Sequence, residues 1–475
     1  MEPRTPGRRL LIIGLDALPP ELLFEHLLPV MPNVRRLVET GLWAPLRSTD
    51  PPITIPAWPT MFTGVDPGTL GLYGFRHRRP GSYFDTYAPS STLLPFPTLW
   101  QLLSQRGKRV AVIGMPPGYP PPVVNGLYIS DFLTPSGRED FTYPPSLRTE
   151  LLQKFGPYRF DVVFRAEERV ALERELREMT RQRFAIAEHL LEREPWDVFA
   201  IHEIGTDRLH HAYWKHFDRS HPEFVPGNPF ERIAEEYYRE VDGYIGRLVE
   251  RAGPEAGILL VSDHGSMPMT GCFCINEWLR EKGYLTLRRT PQRPLPLEKA
   301  DVDWSRTQVW GAGGYYARIF FNVRGREPEG IVDPAALPEL RRRLEKDLRE
   351  LRDPEGHPLA VDILDPRTRY RQVRGDAPDL MLYFGGLRWR SAGTVGHPSL
   401  YLKENDTGPD DAVHSFHGIF LFRDPADPRP RQLPAQSILD VMPTLLRWLG
   451  EPVPPQVQGS PIPLADAPQG SRPSP

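Results

Sequence analysis

The chain has 475 residues, of which 40% are hydrophobic and 25% are charged, and its formal net charge at pH 7 is -3. This composition is typical of a globular protein, and the length suits one elaborate domain or two to three ordinary ones. The charges are nearly balanced, whereas a nucleic-acid-binding protein usually carries a basic excess, so we expect no nucleic acid among its partners.

The N-terminal region and the two cysteines bear on the cellular compartment. The first apolar run is short and ends at Asp16, so it is too short for a signal peptide or a membrane span. Cys272 and Cys274 are too few for a disulfide framework and too close together for an easy bridge. We therefore predict a cytoplasmic protein without a membrane segment. The sequence leaves its oligomeric state open.

In chain order, short β-branched apolar runs alternate with stretches in which apolar residues recur every three to four positions. The runs at residues 8–16, 108–114, 196–203 and 256–263 each end at glycine, aspartate or glutamate, as buried parallel strands do. This alternation predicts an α/β fold with a mainly parallel central sheet flanked by helices, in which ligands bind beyond the carboxyl ends of the strands. Helices are predicted over residues 21–40, 97–106, 166–192, 229–251 and 335–351.

Two stretches interrupt the alternation. Residues 115–160 are rich in proline, glycine and tyrosine, and residues 286–410 mix charged helices with short strands. We interpret both as inserted cover segments of a single domain over residues 1–450. Residues 451–475 form a proline-rich C-terminal tail without an apolar repeat, and this tail is predicted to be loose.

Several polar residues at the predicted strand and helix ends could act as metal ligands or as a nucleophile. Asp16 and the neighbours Asp263 and His264 follow two apolar strands, and each could bind a cation or merely cap a turn. Thr54 lies two residues before Pro56 at the start of a short predicted helix. It could be a helix cap or a nucleophile.

Histidines add further candidate ligands, with alternatives. Asp207 and His211 are four residues apart and share a helix face, but His210 is also within reach at three apart. His414 and His417 precede another apolar strand, and either could be a ligand or a core histidine. Three aspartates, three histidines and one hydroxyl are the groups that two-metal phosphoryl transfer requires. In that chemistry two cations about 4 Å apart activate the attacking hydroxyl and neutralise the developing charge.

These residues occur in motifs that resemble the alkaline phosphatase superfamily, in its type I phosphodiesterase and nucleotide pyrophosphatase branch. The similarity runs nearly end to end through GLDAL, PPITIPAWPTMFTGVDPGTLGLYGF, TDRLHH, VSDHG, INEWLREKGYL, HSFHGIF and SILDVMPTLLRWLG. The middle region also resembles a group of that superfamily described as phosphohydrolases or phosphomutases. The resemblance implies that residues 1–450 form an alkaline-phosphatase-like catalytic domain.

The resemblance also implies roles for individual residues. Thr54 would be the nucleophile, and two divalent metal ions would be present, usually zinc in this family and manganese in its mutase-like relatives. The family spacing selects His211 over His210 and His414 over His417. One ion would be held by Asp16, Thr54, Asp263 and His264, and the other by Asp207, His211 and His414.

One position departs from the family pattern. Nucleotide pyrophosphatases of this branch carry an asparagine after the nucleophile helix, where it contacts the phosphoryl oxygen, and Phe75 occupies that position here. Arg76 or His77 could supply the missing hydrogen-bond donor, and we take Phe75 and Arg76 as candidate substrate contacts. The departure weakens the expectation of a nucleotide substrate.

We therefore expect a metal-dependent hydrolase that cleaves a small phosphate ester through a covalent phosphothreonine at Thr54. The ester could be a phosphodiester or a phosphomonoester. One alternative is a phosphotransferase or phosphomutase that uses the same two-metal site. A second is a non-catalytic sensor of a phosphate ligand, against which the intact Thr54 argues.

Overall fold

The computed structural model describes residues 8–464, which are organised around a ten-stranded, mostly parallel sheet. Its central strand, Arg9–Leu15, pairs in parallel with Val198–Glu203 on one side and with Ala256–Val261 on the other. These predicted strands are almost entirely buried because apolar side chains extend from both faces. From edge to edge, the strands are Arg431–Gln432, Leu42–Arg47, His417–Arg423, Ala256–Val261, Arg9–Leu15, Val198–Glu203, Val110–Ile113, Gly126–Ile129 and Thr142–Tyr143, with Gln436–Ser437 beside Leu42–Arg47.

Helices cover both faces of this sheet, and the predicted α/β fold is confirmed. Leu11 and Ile13 pack under one helical layer and Leu10 and Ile12 under the other, because successive strand residues point to opposite faces. The first layer contains Pro32–Glu39, Ser146–Phe155, Arg169–Arg193, Gly205–Phe217 and Ile233–Ala252, and the second contains Thr54–Thr63, Leu99–Gln105 and Val441–Trp448.

The helices predicted from apolar periodicity are present, with altered ends. Residues 21–40 differ most, because they form a π-helical turn, a 3-10 turn and an α-helix in succession, Leu22–Leu27, Leu28–Val30 and Pro32–Glu39. Pro29 and Pro32 lack the N–H that a continuous helix needs. The remaining helices are Pro67–Leu70, Ile275–Glu281, Leu337–Arg349 and Pro366–Arg369, with 3-10 turns at Ser91–Leu93, Leu297–Lys299, Pro334–Ala336 and Ile438–Asp440.

Residues 271–402 build a second, seven-stranded sheet with a hydrophobic core of its own. Its strands, in order, are Val309–Ala312, Ala317–Phe321, Leu380–Phe384, Trp389–Ala392, Gly271–Cys274 and Tyr401–Leu402, with Val361–Leu364 beside Leu380–Phe384. Three two-stranded ribbons pair Gly265–Pro268 with Ala412–Ser415, Leu295–Pro296 with Thr394–Val395, and His77–Arg78 with Thr86–Tyr87. Six of the seven strands of this sheet lie within the predicted cover segment at 286–410, which therefore contains a folded unit with regular structure.

The segment at 115–160 and the C-terminal region both join the central layers. Residues 115–160 contribute two strands to one edge of the central sheet and the helix Ser146–Phe155. The division into a core domain and cover segments stays a prediction. Throughout residues 8–464, every helix is either too short or too polar to cross a lipid bilayer.

The tail predicted to be loose is packed over its described part. Ile462 is buried in the core beside the helix Val441–Trp448, and its N–H donates to Thr444 Oγ1 over 2.7 Å. The Gln458 N–H donates to the Gly64 carbonyl over 2.8 Å. Single apolar anchors hold this segment, and they leave no periodic signal in the sequence. Residues 465–475 of the predicted tail lie outside the described residues.

Candidate active site at the carboxyl ends of the central strands

Three neighbouring parallel strands bring three aspartates to one edge of the central sheet. Asp16 follows Arg9–Leu15 directly, and Asp263 follows Ala256–Val261 by two residues. Asp207 lies in the first turn of the helix that begins just after Val198–Glu203. The three side chains are almost completely buried. The chain leaves the central strand through Ala17, whose φ of 62° is uncommon for a residue with a Cβ and is the kind of strain found at functional sites.

Thr54 faces this group of aspartates. It is the first residue of the helix Thr54–Thr63, and Ile53 holds the N-cap position. The Thr54 hydroxyl donates to Asp16 Oδ1 over 3.3 Å and lies 3.3 Å from His264 Nε2. The hydroxyl therefore points into the site and does not cap its own helix. The first-turn amides lack intrahelical acceptors, so this helix end is positively polarised.

The first group of candidate ligands consists of Asp16, Asp263 and His264, whose ligand atoms lie within 4.8 Å of one another. His264 Nε2 is 3.3 Å from Asp263 Oδ2 and 3.5 Å from Asp16 Oδ1. Among residues 8–464, Asp263 Oδ2 finds no hydrogen-bond donor although it is buried. Burial and the like charge of Asp16 raise the pKa of Asp263 well above its usual value. This carboxylate therefore has the surroundings of a cation ligand.

The second group consists of Asp207, His211 and His414. His211 Nε2 is 3.2 Å from Asp207 Oδ1 and 3.1 Å from His414 Nε2, and His414 Nε2 is 3.5 Å from the same Asp207 oxygen. Asp207 Oδ1 is another buried oxygen without a hydrogen-bond donor in the described chain. His264 lies within 4.8 Å of Asp207 and His414, so the two groups adjoin. Together we call these six residues the aspartate–histidine cluster.

The aspartate–histidine cluster has the chemistry of a divalent-cation site. Burial lowers the pKa of His264 to about 3 and that of His414 to about 4, so both imidazoles are neutral near pH 7, the form that binds metals. Its two unpartnered carboxylate oxygens are suited to cations. The mixture of nitrogen and oxygen donors is compatible with zinc and with manganese. The residues present therefore fit two divalent ions.

The two histidine alternatives left open by spacing separate in space. His210 turns away from the aspartate–histidine cluster, with Nδ1 at 3.0 Å from Ser266 Oγ and Nε2 at 3.0 Å from the Tyr238 hydroxyl. His417 is half-buried and lines a different cavity. The fold thus brings His211 and His414 together and leaves the other two histidines outside.

Most of the chain matches a known protein family. Residues 10–410 match the family described as type I phosphodiesterase / nucleotide pyrophosphatase. The chain belongs to this family. It is therefore an enzyme that hydrolyses phosphoric esters, as predicted, and the family is metal-dependent. A search of curated proteins found none that matches the chain.

Solved structures with the same fold include two ectonucleotide pyrophosphatase / phosphodiesterases. Human ectonucleotide pyrophosphatase / phosphodiesterase 5 is 14% identical, with a TM-score of 0.56, and the match covers 95% of this chain and 97% of that one. The murine protein of the same name, an inactive variant in complex with AMP, has the same identity, coverage and TM-score. At this identity the likeness shows the fold, and the predicted alkaline-phosphatase-like architecture is confirmed.

Two residues that the sequence analysis missed orient Asp16 in this phosphodiesterase fold. Asp16 Oδ2 accepts from Trp58 Nε1 over 2.9 Å and lies 2.8 Å from His202 Nε2, which leaves Oδ1 for Thr54. His202 Nδ1 is 3.0 Å from the Gly114 carbonyl. A polar side chain near the end of a buried parallel strand was the available signal for His202.

Asp410 supports the second group of ligands and was also missed. Its Oδ1 lies 2.6 Å from His211 Nδ1, and its Oδ2 pairs with Arg390 over 2.6 Å. Burial lowers the pKa of His211, but the neighbouring acidic groups, with Asp410 first among them and Tyr315 and Asp207 after it, together outweigh burial and raise this pKa well above its usual value. Partners of this kind set the orientation of metal-binding histidines. The available signal was an acidic residue four positions before His414.

A cavity of about 370 Å³ lies beside the nucleophile candidate, because Ile53, next to Thr54, is part of its lining. We call it the Thr54 pocket. Both candidate substrate contacts, Phe75 and Arg76, line it. Tyr315, which was not predicted, also lines it. Its hydroxyl is 3.1 Å from His211 Nε2, and its ring stacks on His414 with centroids 3.8 Å apart. The pocket therefore adjoins the aspartate–histidine cluster.

His77, the other possible donor, is not part of the pocket lining. It is buried, and its Nε2 accepts the Tyr73 N–H over 2.8 Å. Burial and the nearby positive charge of Arg318 lower the pKa of His77 to about 4. His77 therefore supports the pocket wall through its hydrogen bond with Tyr73, which is part of the lining.

Proposed function

We propose that this enzyme hydrolyses a small phosphate ester, in particular a phosphodiester, through a covalent phosphothreonine at Thr54 and with two divalent metal ions. The observation that carries the proposal is the position of the Thr54 hydroxyl, 3.3 Å from both Asp16 Oδ1 and His264 Nε2 inside a buried polar cluster. A threonine with only a capping role would direct its hydroxyl at its own helix.

The metal ions would be held by residues that converge from separate elements. When bound, two divalent cations supply Lewis acidity that favours the ionised hydroxyl and offsets charge on the phosphoryl oxygens. Zinc fits the donor set, and manganese is compatible with it. One ion would be held by Asp16, Thr54, Asp263 and His264, and the other by Asp207, His211 and His414.

The protein residues have separate tasks in the reaction. Attack by Thr54 Oγ1 on phosphorus forms the phosphothreonine ester and breaks the bond to the leaving alcohol. Asp16 Oδ1 accepts the hydrogen bond of the Thr54 hydroxyl and is positioned to take its proton. The amides at the start of Thr54–Thr63 lie where they favour the negative phosphoryl oxygens. Water then breaks the threonine–phosphorus ester, which releases the second product and restores the hydroxyl.

The Thr54 pocket would hold the substituent of the ester. Phe75 and Arg76 line it, and the Phe75 ring lies 6.3 Å from that of Phe132 and 6.4 Å from that of Tyr315. Aromatic walls bind apolar or aromatic groups. A murine neighbour in this fold binds AMP, but Phe75 replaces the asparagine of the nucleotide pyrophosphatases here. We therefore propose an ester other than a nucleotide.

The test compares hydrolysis of para-nitrophenyl phosphate and bis-para-nitrophenyl phosphate, first with zinc and then with manganese. We expect the diester to be preferred and Thr54→Ala to lose at least about 10³-fold in kcat/KM while it still binds metal. Thr63→Ala is the matched control, because Thr63 lies in the same helix and its hydroxyl donates to the Pro59 carbonyl. Full activity in Thr54→Ala would refute the proposed nucleophile. Transfer to an added alcohol in excess of hydrolysis would favour a phosphotransferase.

We also propose a cytoplasmic location. Cys272 and Cys274 are both free and buried, which suits a reducing compartment. Fractionation of the source cells with antibody detection tests this proposal, and recovery in a secreted or periplasmic fraction would contradict it.

A further inference from the structure

The charged side chains that line the Thr54 pocket are all positive. Among the described residues that line it there is no aspartate, glutamate or lysine, but there are five arginines, namely Arg76, Arg165, Arg208, Arg318 and Arg390. A cavity wall with this composition attracts anions, because guanidinium groups form paired, charge-assisted hydrogen bonds with phosphate and carboxylate oxygens.

Three of these arginines have carboxylate partners. Arg208 pairs with Asp207 over 2.6 Å and with Asp161 over 2.7 Å. Arg165 and Arg390 both pair with Asp410, over 3.0 Å and 2.6 Å. Most of the charge of these three groups is therefore neutralised inside the protein.

Arg76 and Arg318 have no such compensation. Neither forms an ion pair with another residue of the described chain, although ion pairs are common elsewhere on this surface. The Arg318 guanidinium donates to the Arg76 carbonyl over 2.7 Å, so the two residues adjoin on one side of the pocket. Arg76 is exposed and Arg318 is half-buried, so both are accessible to a ligand.

Arg390 connects the pocket wall to the aspartate–histidine cluster. Its side chain is 3% exposed, yet its Nε has no hydrogen-bond partner within residues 8–464. The guanidinium lies over the Tyr315 ring at 4.1 Å, beside the aspartate–histidine cluster. Because this Nε is itself buried, a ligand in the pocket does not reach it, and the charge accessible to an anion is that of Arg76 and Arg318.

We propose that the substrate carries a second anionic group, a phosphate or a carboxylate, on the substituent beyond the ester that is cleaved. Arg76 and Arg318 would supply the uncompensated charge that pairs with this group. The inference rests on the proposed hydrolysis at Thr54. The adjoining cavity that shares Arg318 and Arg390 also contains Glu298 and Asp406, which repel anions, so the second group is expected on the Thr54 side.

The experiment uses three para-nitrophenyl phosphodiesters that differ only in the other alcohol, which is ethyl, 2-carboxyethyl or 2-phosphoethyl. We expect the wild-type enzyme to prefer an anionic ester over the ethyl ester by about 10- to 100-fold in kcat/KM. The two anionic esters distinguish carboxylate from phosphate recognition. In Arg76→Gln and Arg318→Gln the ratio of kcat/KM for the anionic ester to kcat/KM for the ethyl ester should fall towards one.

Arg324→Gln is the control, because Arg324 is an exposed arginine paired with Asp333 outside the pocket, and it should keep the wild-type preference. No preference in the wild type, or an unchanged preference in both pocket variants, overturns the inference while hydrolysis itself stands. If no ester is cleaved, the proposed function fails, and calorimetric titration of the wild type then decides the inference. Tighter binding of ethylene glycol bisphosphate than of ethyl phosphate supports it, and equal or absent binding overturns it.

Discussion

The aspartate–histidine cluster and the Thr54 pocket lie side by side but are built in different ways. The cluster stands on the ends of neighbouring central strands, on one helix and, for His414, on the ribbon strand Ala412–Ser415, and its side chains are buried. The pocket is lined from loops, among them residues 73–76 and 313–316, and several of its residues are partly exposed.

This difference separates chemistry from recognition. Metal ligands and a nucleophile must be held within fractions of an ångström, and buried strands of a packed sheet supply that rigidity. Substrate recognition tolerates more variation and is commonly carried by loops on a rigid scaffold. Family membership therefore predicts the reaction better than it predicts the substrate.

The largest expected effect comes from breaking the cluster. Asp263→Asn should reduce kcat/KM by about 10³-fold or more, because it removes the negative charge of a proposed metal ligand. Metal content by mass spectrometry should fall in parallel, and a chelator should abolish wild-type activity until zinc is restored. Asp85→Asn, on an exposed aspartate, is the control. A variant with normal metal content and activity would contradict the ligand assignment.

A smaller effect is expected one contact away from the ligands. Asp410→Asn should lower metal affinity or activity by about 10- to 100-fold, because the Asp410 carboxylate contacts His211 Nδ1 and thereby orients the imidazole. Competition titration with a zinc indicator measures the affinity directly. If zinc affinity stays at the wild-type value, Asp410 has only a structural role. Its two arginine partners would then account for any loss of stability.

The pocket should respond in substrate affinity. Phe75→Ala should raise KM for bis-para-nitrophenyl phosphate by about fivefold to tenfold and change kcat by less than about twofold, because it removes an aromatic wall without touching the cluster. Steady-state kinetics provide both constants. A fall in kcat at constant KM would instead mean that Phe75 acts on the reacting phosphate.

The smallest expected effect is on the pH dependence of stability, through the buried His77 beside the Thr54 pocket. The pKa of His77 is lowered to about 4, so the folded state favours its neutral form, and stability falls as the pH drops below about 6.5. This loss reaches about 2 kcal/mol at pH 5. His77→Gln keeps an acceptor for the Tyr73 N–H and should lose less stability between pH 7 and pH 5, measured by thermal unfolding. His357→Gln, on an exposed histidine, is the control. Equal losses in wild type and His77→Gln would refute the prediction.

The sequence predicted the residues of the aspartate–histidine cluster better than the residues that surround it. Asp16, Asp263 and His264 were candidates because they follow apolar strands, and Asp207 with His211 or His210 because three or four residues complete about one helical turn. The choice of His211 and His414 came from the family resemblance. Asp410, His202 and Tyr315 were missed because their roles arise from contacts between residues far apart in the chain. The anchoring of Ile462 left no signal for the same reason.

The sequence by itself determined the α/β layering, the helices, the family and the residue types needed for phosphoryl transfer, since these follow from local periodicity and short motifs. Only the tertiary structure decided which residues orient the candidate ligands and which charges face the pocket. Those properties depend on distances and on the partners that neutralise each charge. Arg165 and Arg318 are alike in the sequence, but the fold pairs one with Asp410 and leaves the other without a carboxylate in the described chain.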